Sequence, residues 1–516
     1  MVIPPFSNES PTDFSRPEYR QAFQEALGRV RARFGAAYPL RIGGQELSTG
    51  DTLASVNPTH PTEVVGRHAM AGTAEVEAAV SAARAAFADW PRTTPEERAA
   101  ILLRAAQVVR VRRHELSALM VAEVGKSWDE ADGETAEVID LLEWYARAML
   151  RLAGAEDVTP LAGELISYRY LALGVGAIIS PWNFPMALLA GMTSAAVVTG
   201  NTVVVKPAST ATTCAAWLLD VFREVQLPPG VINLLPGRGD VVGEGLVDHP
   251  GVRFVAFTGS REVGTRIYER GARTPAGQLW LKKIQLEMGG KNALVVDETA
   301  DLARAAHEIV LSAFGFQGQK CSAGSRAIVV DGVYDDVVER VVEESRQLAL
   351  GDPVDPDVVV GPLIDAAAER KVQGYIAIGR GEGRLLLGGG KPDREGYFVE
   401  PTIFGDVDPG ARIAQEEIFG PVLSMLRARD VEEALRMANG TEYGLTGSFF
   451  SHDPARIARA RETFHVGNLY INRKSTGALM GVHPFGGFNM SGTDTKAGGP
   501  DYPLFFLQAQ AIGERL

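Results

Sequence analysis

One cysteine sits where a covalent catalyst would need it. Phe314 to Ala323 reads FGFQGQKCSA, and Cys321 within it is one of only two cysteines among 516 residues. A thiolate is a strong nucleophile, and small neighbours let a carbonyl carbon approach it. A buried, inert thiol is the commoner fate of a free cysteine, so its company decides. Glu287 lies in LEMGGKN (Leu286 to Asn292) and offers a base. Asn183 lies in SPWNFP (Ser180 to Pro185) and offers an amide donor for an oxyanion.

Weaker signals point to a nucleotide. Val255 to Gly264 reads VAFTGSREVG, a strand, a glycine-bounded turn and a helix start, and such a helix N-terminus can receive a pyrophosphate. It is not the GxGxxG pattern. Lys206, in VVVKPAS, ends a strand, where α/β sheets meet ligands; a structural ion pair explains a strand-end lysine equally well. Gly388 to Lys391 (GGGK) lacks the phosphate-loop spacing and reads as a surface turn. The eight histidines are scattered and the two cysteines far apart, so no metal site and no disulfide is expected. A cysteine hydrolase using His465 or His483 is the rival chemistry, but it leaves the nucleotide-type segments without a role.

The elements that must position these residues read as α/β. From Gly174 onward, short β-branched runs alternate with helical stretches: Val175–Ser180, Thr202–Lys206, Val231–Leu235, Phe254–Thr258 and Ala293–Asp297. A second set follows at Ser325–Val330, Leu385–Leu387, Pro421–Leu426, Gly447–Phe450 and Asn468–Ile471. Two largely parallel domains in series are expected, joined near Glu287 to Asn292. Upstream, residues 1–38 read as an arm with helical spacing over Arg16–Phe34. Thr73 reads as the N-cap of an amphipathic helix (Val76, Val80, Ala83, Phe87, Trp90), and Glu96–Val111 as a second helix. The Arg110, Arg112, Arg113 cluster reads as a solvated helix end. A net charge of 51 − 64 = −13 argues against a nucleic-acid partner. The N-terminus does not read as a signal peptide, and the apolar stretches are too broken to span a bilayer. A soluble protein of the reducing cytoplasm is expected.

Seven segments, SPWNFP, KPAS, FTGS, LEMGGK, FGFQGQKCSA, EEIFGPV (Glu416 to Val422) and HPFGGF (His483 to Phe488), come in the order of the aldehyde dehydrogenase superfamily, which the chain resembles from about residue 40 onward. The resemblance implies a Rossmann-type NAD-binding domain (39–160 and 178–287, with 479–493 returning to the cleft), a catalytic domain (288–478) and a β flap for oligomerisation (161–177 and 494–516). It implies Cys321 as nucleophile, Asn183 with the Cys321 amide as oxyanion site, and Glu287 as the base that hydrolyses a thioester. The cofactor would meet Ser180, Pro181, Trp182, Lys206, Ser209, Gly259, Ser260, Val263, Glu417 and Phe419.

The arm, NRKSTGALMGVHPFGGF (Asn472 to Phe488) and SGTDTKAGGPDY (Ser491 to Tyr502) resemble the branch that oxidises L-glutamate γ-semialdehyde in proline breakdown. That resemblance implies a carboxylate anchor at Ser322 and the amides of Gly477 and Ala478. Phe184 and Phe485 would sandwich the methylenes, Glu137 would meet the ammonium, and Lys320 would line the pocket. Another semialdehyde or an aliphatic aldehyde is the alternative substrate. Ser209 stands where many NAD-preferring relatives carry Glu, so NADP should be tolerated beside NAD. A homo-oligomer is implied, a dimer or trimer of dimers, with functional coupling to proline dehydrogenase.

Overall fold

Two seven-stranded sheets carry the chain in the computed structural model, which describes residues 3–153 and 158–516. Residues 1–2 of the expected arm and 154–157 of the expected range 39–160 lie outside the described residues. The first sheet runs Lys283–Glu287, Val252–Thr258, Val175–Ile179, Thr202–Lys206, Ile232–Leu234, Leu40–Ile42, Gln45–Leu47. Its first five strands are parallel. Val175–Ile179 and Thr202–Lys206 are buried at every position. That is why they read as unbroken apolar runs rather than alternating ones.

The second sheet runs Arg384–Leu387, Thr402–Gly405, Val422–Ala428, Gly324–Val330, Asn292–Val296, Thr446–Phe450, Asn468–Ile471. Only its first edge strand is antiparallel. The consecutive strands Lys283–Glu287 and Asn292–Val296 belong to different sheets, so the chain crosses between the sheets over Met288–Lys291. In the first sheet, Val175–Ile179 continues to one side through Thr202–Lys206, whereas Val252–Thr258 lies on its other side. The crevice between them is a topological switch point, the place where open α/β sheets bind ligands.

Several expectations need correction. Residues 175–177 belong to the first sheet, where they pair with strands on both sides, and not to the flap. The flap is narrower at the other end too. Tyr502 and Phe506 are buried in the main core, and only Leu507–Arg515 pairs with Glu164–Ala172 as a two-stranded ribbon. Thr73 is the first helical residue and not the cap. The cap is Gly72, whose amide donates to Glu75 Oε2 at 2.8 Å.

The arginine cluster is not a solvated helix end. Arg113 forks onto the buried Asp132 at 2.6 Å, and Arg110 bridges Glu9 and Glu143. Both tie down elements that lie far away in sequence, which helical periodicity alone does not reveal. No helix among the described residues is long and apolar enough to cross a membrane.

Candidate active site

Cys321 stands at the end of a strained turn. The helix Leu302–Phe314 stops, and Phe316, Gln317 and Gly318 follow with φ of 49°, 56° and 66°. Two non-glycine residues in the left-handed region store about 1–3 kcal/mol each and persist only when their surroundings over-determine them. The surroundings do so. Gln317 Nε2 donates to Gly125 O at 3.1 Å, and Gln319 Oε1 accepts from Ile364 N at 3.0 Å. Asn292 Nδ2 donates to Cys321 O at 2.7 Å and to Ala323 O at 2.8 Å, and Ser475 Oγ donates to Ser322 O at 2.9 Å. Sequence reading missed Asn292, although it closes the LEMGGKN segment. Gly290 beside it is required, because a β-carbon there would collide with Cys321 O.

Glu287 is the last residue of its strand and is 6% exposed. Neither of its carboxylate oxygens has a hydrogen-bond partner among the described residues. Burial pushes its pKa well above the usual carboxylate range, against the opposing charge of Lys496 and the nearby Gly487 backbone amide. Cys321 is half-buried, and its thiol is pushed up to about 12, by burial first and then by the charges of Glu287 and Glu417. Thiol and carboxylate therefore share one electrostatic site. Asn183, 5% exposed, donates through Nδ2 to Gln319 O at 3.1 Å, which fixes the amide beside the nucleophile turn.

The other cysteine, Cys214, is fully buried, and its amide is held by Glu123 Oε2 at 2.6 Å. Neither histidine of the rival chemistry partners Cys321. His465 packs on Phe488, and His483 lies 3.1 Å from Arg473 Nη1.

The nucleotide-type segments all leave the C-terminal ends of first-sheet strands. Ser180–Trp182 follows Val175–Ile179, Lys206–Ser209 closes Thr202–Lys206, and Gly259–Ser260 follows Val252–Thr258. Ser260 caps the helix Arg261–Gly271, accepting from Val263 N at 3.3 Å. Lys206 makes no ion pair among the described residues. Its Nζ donates only to Pro207 O at 2.9 Å, and burial lowers its pKa to about 8. A buried ammonium with no carboxylate fits a ligand rich in hydroxyls and phosphate. Glu417 Oε1 accepts from Gly290 N at 2.9 Å, and burial raises its pKa while Lys371 and Lys291 oppose the rise. Trp182 meets Phe419 edge-on at 5.6 Å. First-sheet and second-sheet segments thus converge, and the residues fit a dinucleotide.

The substrate-side residues are less uniform. Phe184 lies 6.4 Å from Phe316, with Lys126 Nζ 3.7 Å from its ring centroid. Sequence reading also missed Lys126. It pairs at 2.6 Å with Glu134, whose other oxygen accepts Met186 N and Ala187 N at 2.8 and 2.9 Å. Lys320 is bound to Glu130 at 2.6 Å, so its charge is already matched. Glu137 shares that helix face (130, 134, 137) but has no ion-pair partner among the described residues. Burial, then Glu134, raises its pKa to about 8. Gly477 is exposed with φ of 76°, and neither its amide nor that of Ala478 donates within the described residues. Phe485 pairs through its backbone with Ala497 at 2.8 and 2.7 Å.

Residues 46–512 match the aldehyde dehydrogenase family. The chain is 54% identical to 1-pyrroline-5-carboxylate dehydrogenase of Geobacillus sp. (strain WCH70) over 513 residues, 99% of this chain and 100% of that protein. Among solved structures it is similar to 1-pyrroline-5-carboxylate dehydrogenase from Thermus with bound NAD, at 51% identity and a TM-score of 0.99, with all of both chains covered. It is also similar to proline utilization A from Bdellovibrio bacteriovorus, at 44% identity and a TM-score of 0.98, covering 100% of this chain and 54% of that one.

Proposed function

The chain belongs to the aldehyde dehydrogenase family, and from that premise we propose that it oxidises L-glutamate γ-semialdehyde, the open form of 1-pyrroline-5-carboxylate, to L-glutamate with NAD. The observation that carries the chemistry is Glu287, a buried carboxylate without a hydrogen-bond partner among the described residues, beside Cys321, the more accessible of the two cysteines. A group so placed raises the energy of the resting protein, and a proton-transfer role accounts for it.

Cys321 as thiolate attacks the aldehyde carbon, and a carbon–sulfur bond forms. The carbonyl oxygen becomes an oxyanion held by the Asn183 amide and the Cys321 backbone N–H, donors already fixed by the turn. Bound NAD would supply the hydride acceptor and a positive charge beside the thiol. Glu287 then takes a proton from the water that hydrolyses the thioester on Cys321, freeing the thiol and L-glutamate. Lys206 would hold the adenosine ribose, Glu417 the nicotinamide ribose and Ser260 the pyrophosphate, with Trp182 and Phe419 packing near the nicotinamide. Ser209 puts no carboxylate at the ribose, so NADP is tolerated.

For the substrate, Ser322 and the unused amides of Gly477 and Ala478 take the α-carboxylate, and a glycine at 477 lets it approach the backbone. Phe184 and Phe485 cover the methylenes, and Glu137 faces the ammonium. Neither strand of the ribbon of Glu164–Ala172 and Leu507–Arg515 pairs with a third strand among the described residues. A lone two-stranded ribbon is marginal, which supports pairing with another copy, as a dimer or a trimer of dimers. The likeness to proline utilization A supports coupling to proline dehydrogenase. A thiol nucleophile must stay reduced, which suits the cytoplasm.

Absorbance of reduced nicotinamide tests the substrate. Turnover with 1-pyrroline-5-carboxylate should far exceed that with propanal or succinate semialdehyde, with NAD preferred to NADP. Equal or better use of the plain aldehydes would keep the thiol mechanism and discard the carboxylate anchor.

A further inference from the structure

The arm ahead of the catalytic scaffold is tied to the loop that would hold the substrate carboxylate. Asn8 Nδ2 donates to Asp140 Oδ2 at 2.9 Å and to Met480 O at 3.1 Å, and Glu9 N donates to Asp140 Oδ1 at 2.7 Å. A little further on, the amide and hydroxyl of Thr12 both donate to the buried Asp132 at 2.7 Å. A second, apolar link runs beside the first. Phe6 packs edge-on against Trp144 at 5.1 Å, and the Trp144 ring fills the space that a side chain at Gly481 would need. The loop from Gly477 to Gly481 is thus held at its far end by residues 6–9, while Ser475 holds its near end to the nucleophile turn.

We propose that the N-terminal arm is a specificity element: through Asn8 and the Phe6–Trp144 contact it holds the 477–481 loop in the conformation that receives the substrate's α-carboxylate. The proposal rests on the substrate reading above. Gly477 is exposed and adopts the left-handed backbone that a glycine can also leave freely. Its amide and that of Ala478 bind an anion well only if their directions are set beforehand, since ordering them on binding would lower the affinity. The family match begins at residue 46, so the arm lies outside the scaffold shared by the family. The chemistry itself does not depend on the arm. The nucleophile turn is held by Gly125, Ile364 and Asn292. An aldehyde without an α-carboxylate has no use for the loop.

Steady-state kinetics at saturating NAD, on wild type, Asn8→Ala, Asn8→Asp and the Phe6→Ala Asn8→Ala double variant, test this. Melting temperatures identify which variants are folded. For 1-pyrroline-5-carboxylate, KM should rise about three- to tenfold in Asn8→Ala, the scale of one hydrogen bond, with kcat nearly unchanged. Asn8→Asp should do worse, because it sets an acceptor against two acceptors. kcat/KM for propanal should not move in any of them. An equal fall for both substrates would make the arm general fold support and overturn the proposal, and so would an unchanged KM in the double variant. A wild type that prefers propanal would defeat the substrate reading itself, before any variant is compared.

Discussion

Two regions of buried charge are built on opposite principles. On the wall formed by the helix Trp128–Ala153, Glu134 meets Lys126 and two helix amides, and Glu130 meets Lys320. At the ends of first-sheet strands and the crossing between the sheets, Glu287 has no hydrogen-bond partner and Lys206 no ion pair among the described residues. Lys291 Nζ is buried without a hydrogen bond among the described residues, and burial lowers its pKa to about 7. Burying a charge is costly, and a protein either pairs it or lets its pKa move. The wall pairs its charges and gains order. The second region leaves its groups unpaired, and those are the groups to which the proposed function gives cofactor binding and proton exchange. Unmet polar groups, more than polar groups as such, mark the chemistry here.

The contrast breaks most sharply in the second region. Cys321→Ala should lower turnover by at least ~10⁴-fold while NAD binding, measured by fluorescence quenching, stays intact. Wild-type-like turnover would end the covalent reading. Glu287→Gln should lower steady-state kcat by about 10²–10⁴-fold. It should keep a burst of reduced nicotinamide stoichiometric with sites, because the thioester still forms. Loss of the burst along with the steady state would place Glu287 earlier in the cycle.

The wall should answer through stability instead. Lys126→Met leaves the Glu134 charge buried without its counter-ion, and removing one partner of such a pair costs about 3–5 kcal/mol. The melting temperature should fall. In the Lys126→Met Glu134→Gln double variant it should largely recover, since no lone charge remains. A double variant as unstable as the sum of its singles would show that the two residues do not act as a pair.

How much of this was legible in the sequence follows from the range of the forces involved. Thr202–Lys206 and Asn468–Ile471 are bounded as the sequence pattern expects, because parallel strands write their pattern of burial into neighbouring residues. Cys321, Glu287 and Asn183 were legible as residue types in glycine-rich or proline-bounded segments. Lys126 was not, because its partners are Glu134 and the ring of Phe184, and neither lies on one face with it in any local pattern. The arginine cluster misled for the same reason: Asp132 and Glu9 neutralise it from elsewhere in the fold. The inner bound of the flap, which the resemblance sets at 177 although Val175–Ser180 reads as a sheet strand, depends on which strand pairs with which, and that is a long-range fact.

Glu137 lies between the two regimes and gives the smallest but most diagnostic effect. It shares the wall's helix face yet lacks a lysine of its own, and its pKa of about 8 lies above the ordinary 4.5. The sign follows from linkage. The folded protein binds a proton that the unfolded chain has already lost, so stability falls as pH rises from about 4.5 towards 8. Glu137→Gln removes that penalty. The variant should melt higher than wild type at pH 8.5, with the difference shrinking towards pH 5.5. If Glu137 also faces the substrate ammonium, the same variant should raise KM for 1-pyrroline-5-carboxylate about tenfold and leave propanal alone, the loss of one charge-assisted contact. A stability gain without a change in KM would make Glu137 an unpaired member of the wall. Both effects together would place it with the second region, as a charge left unmet for the substrate to meet.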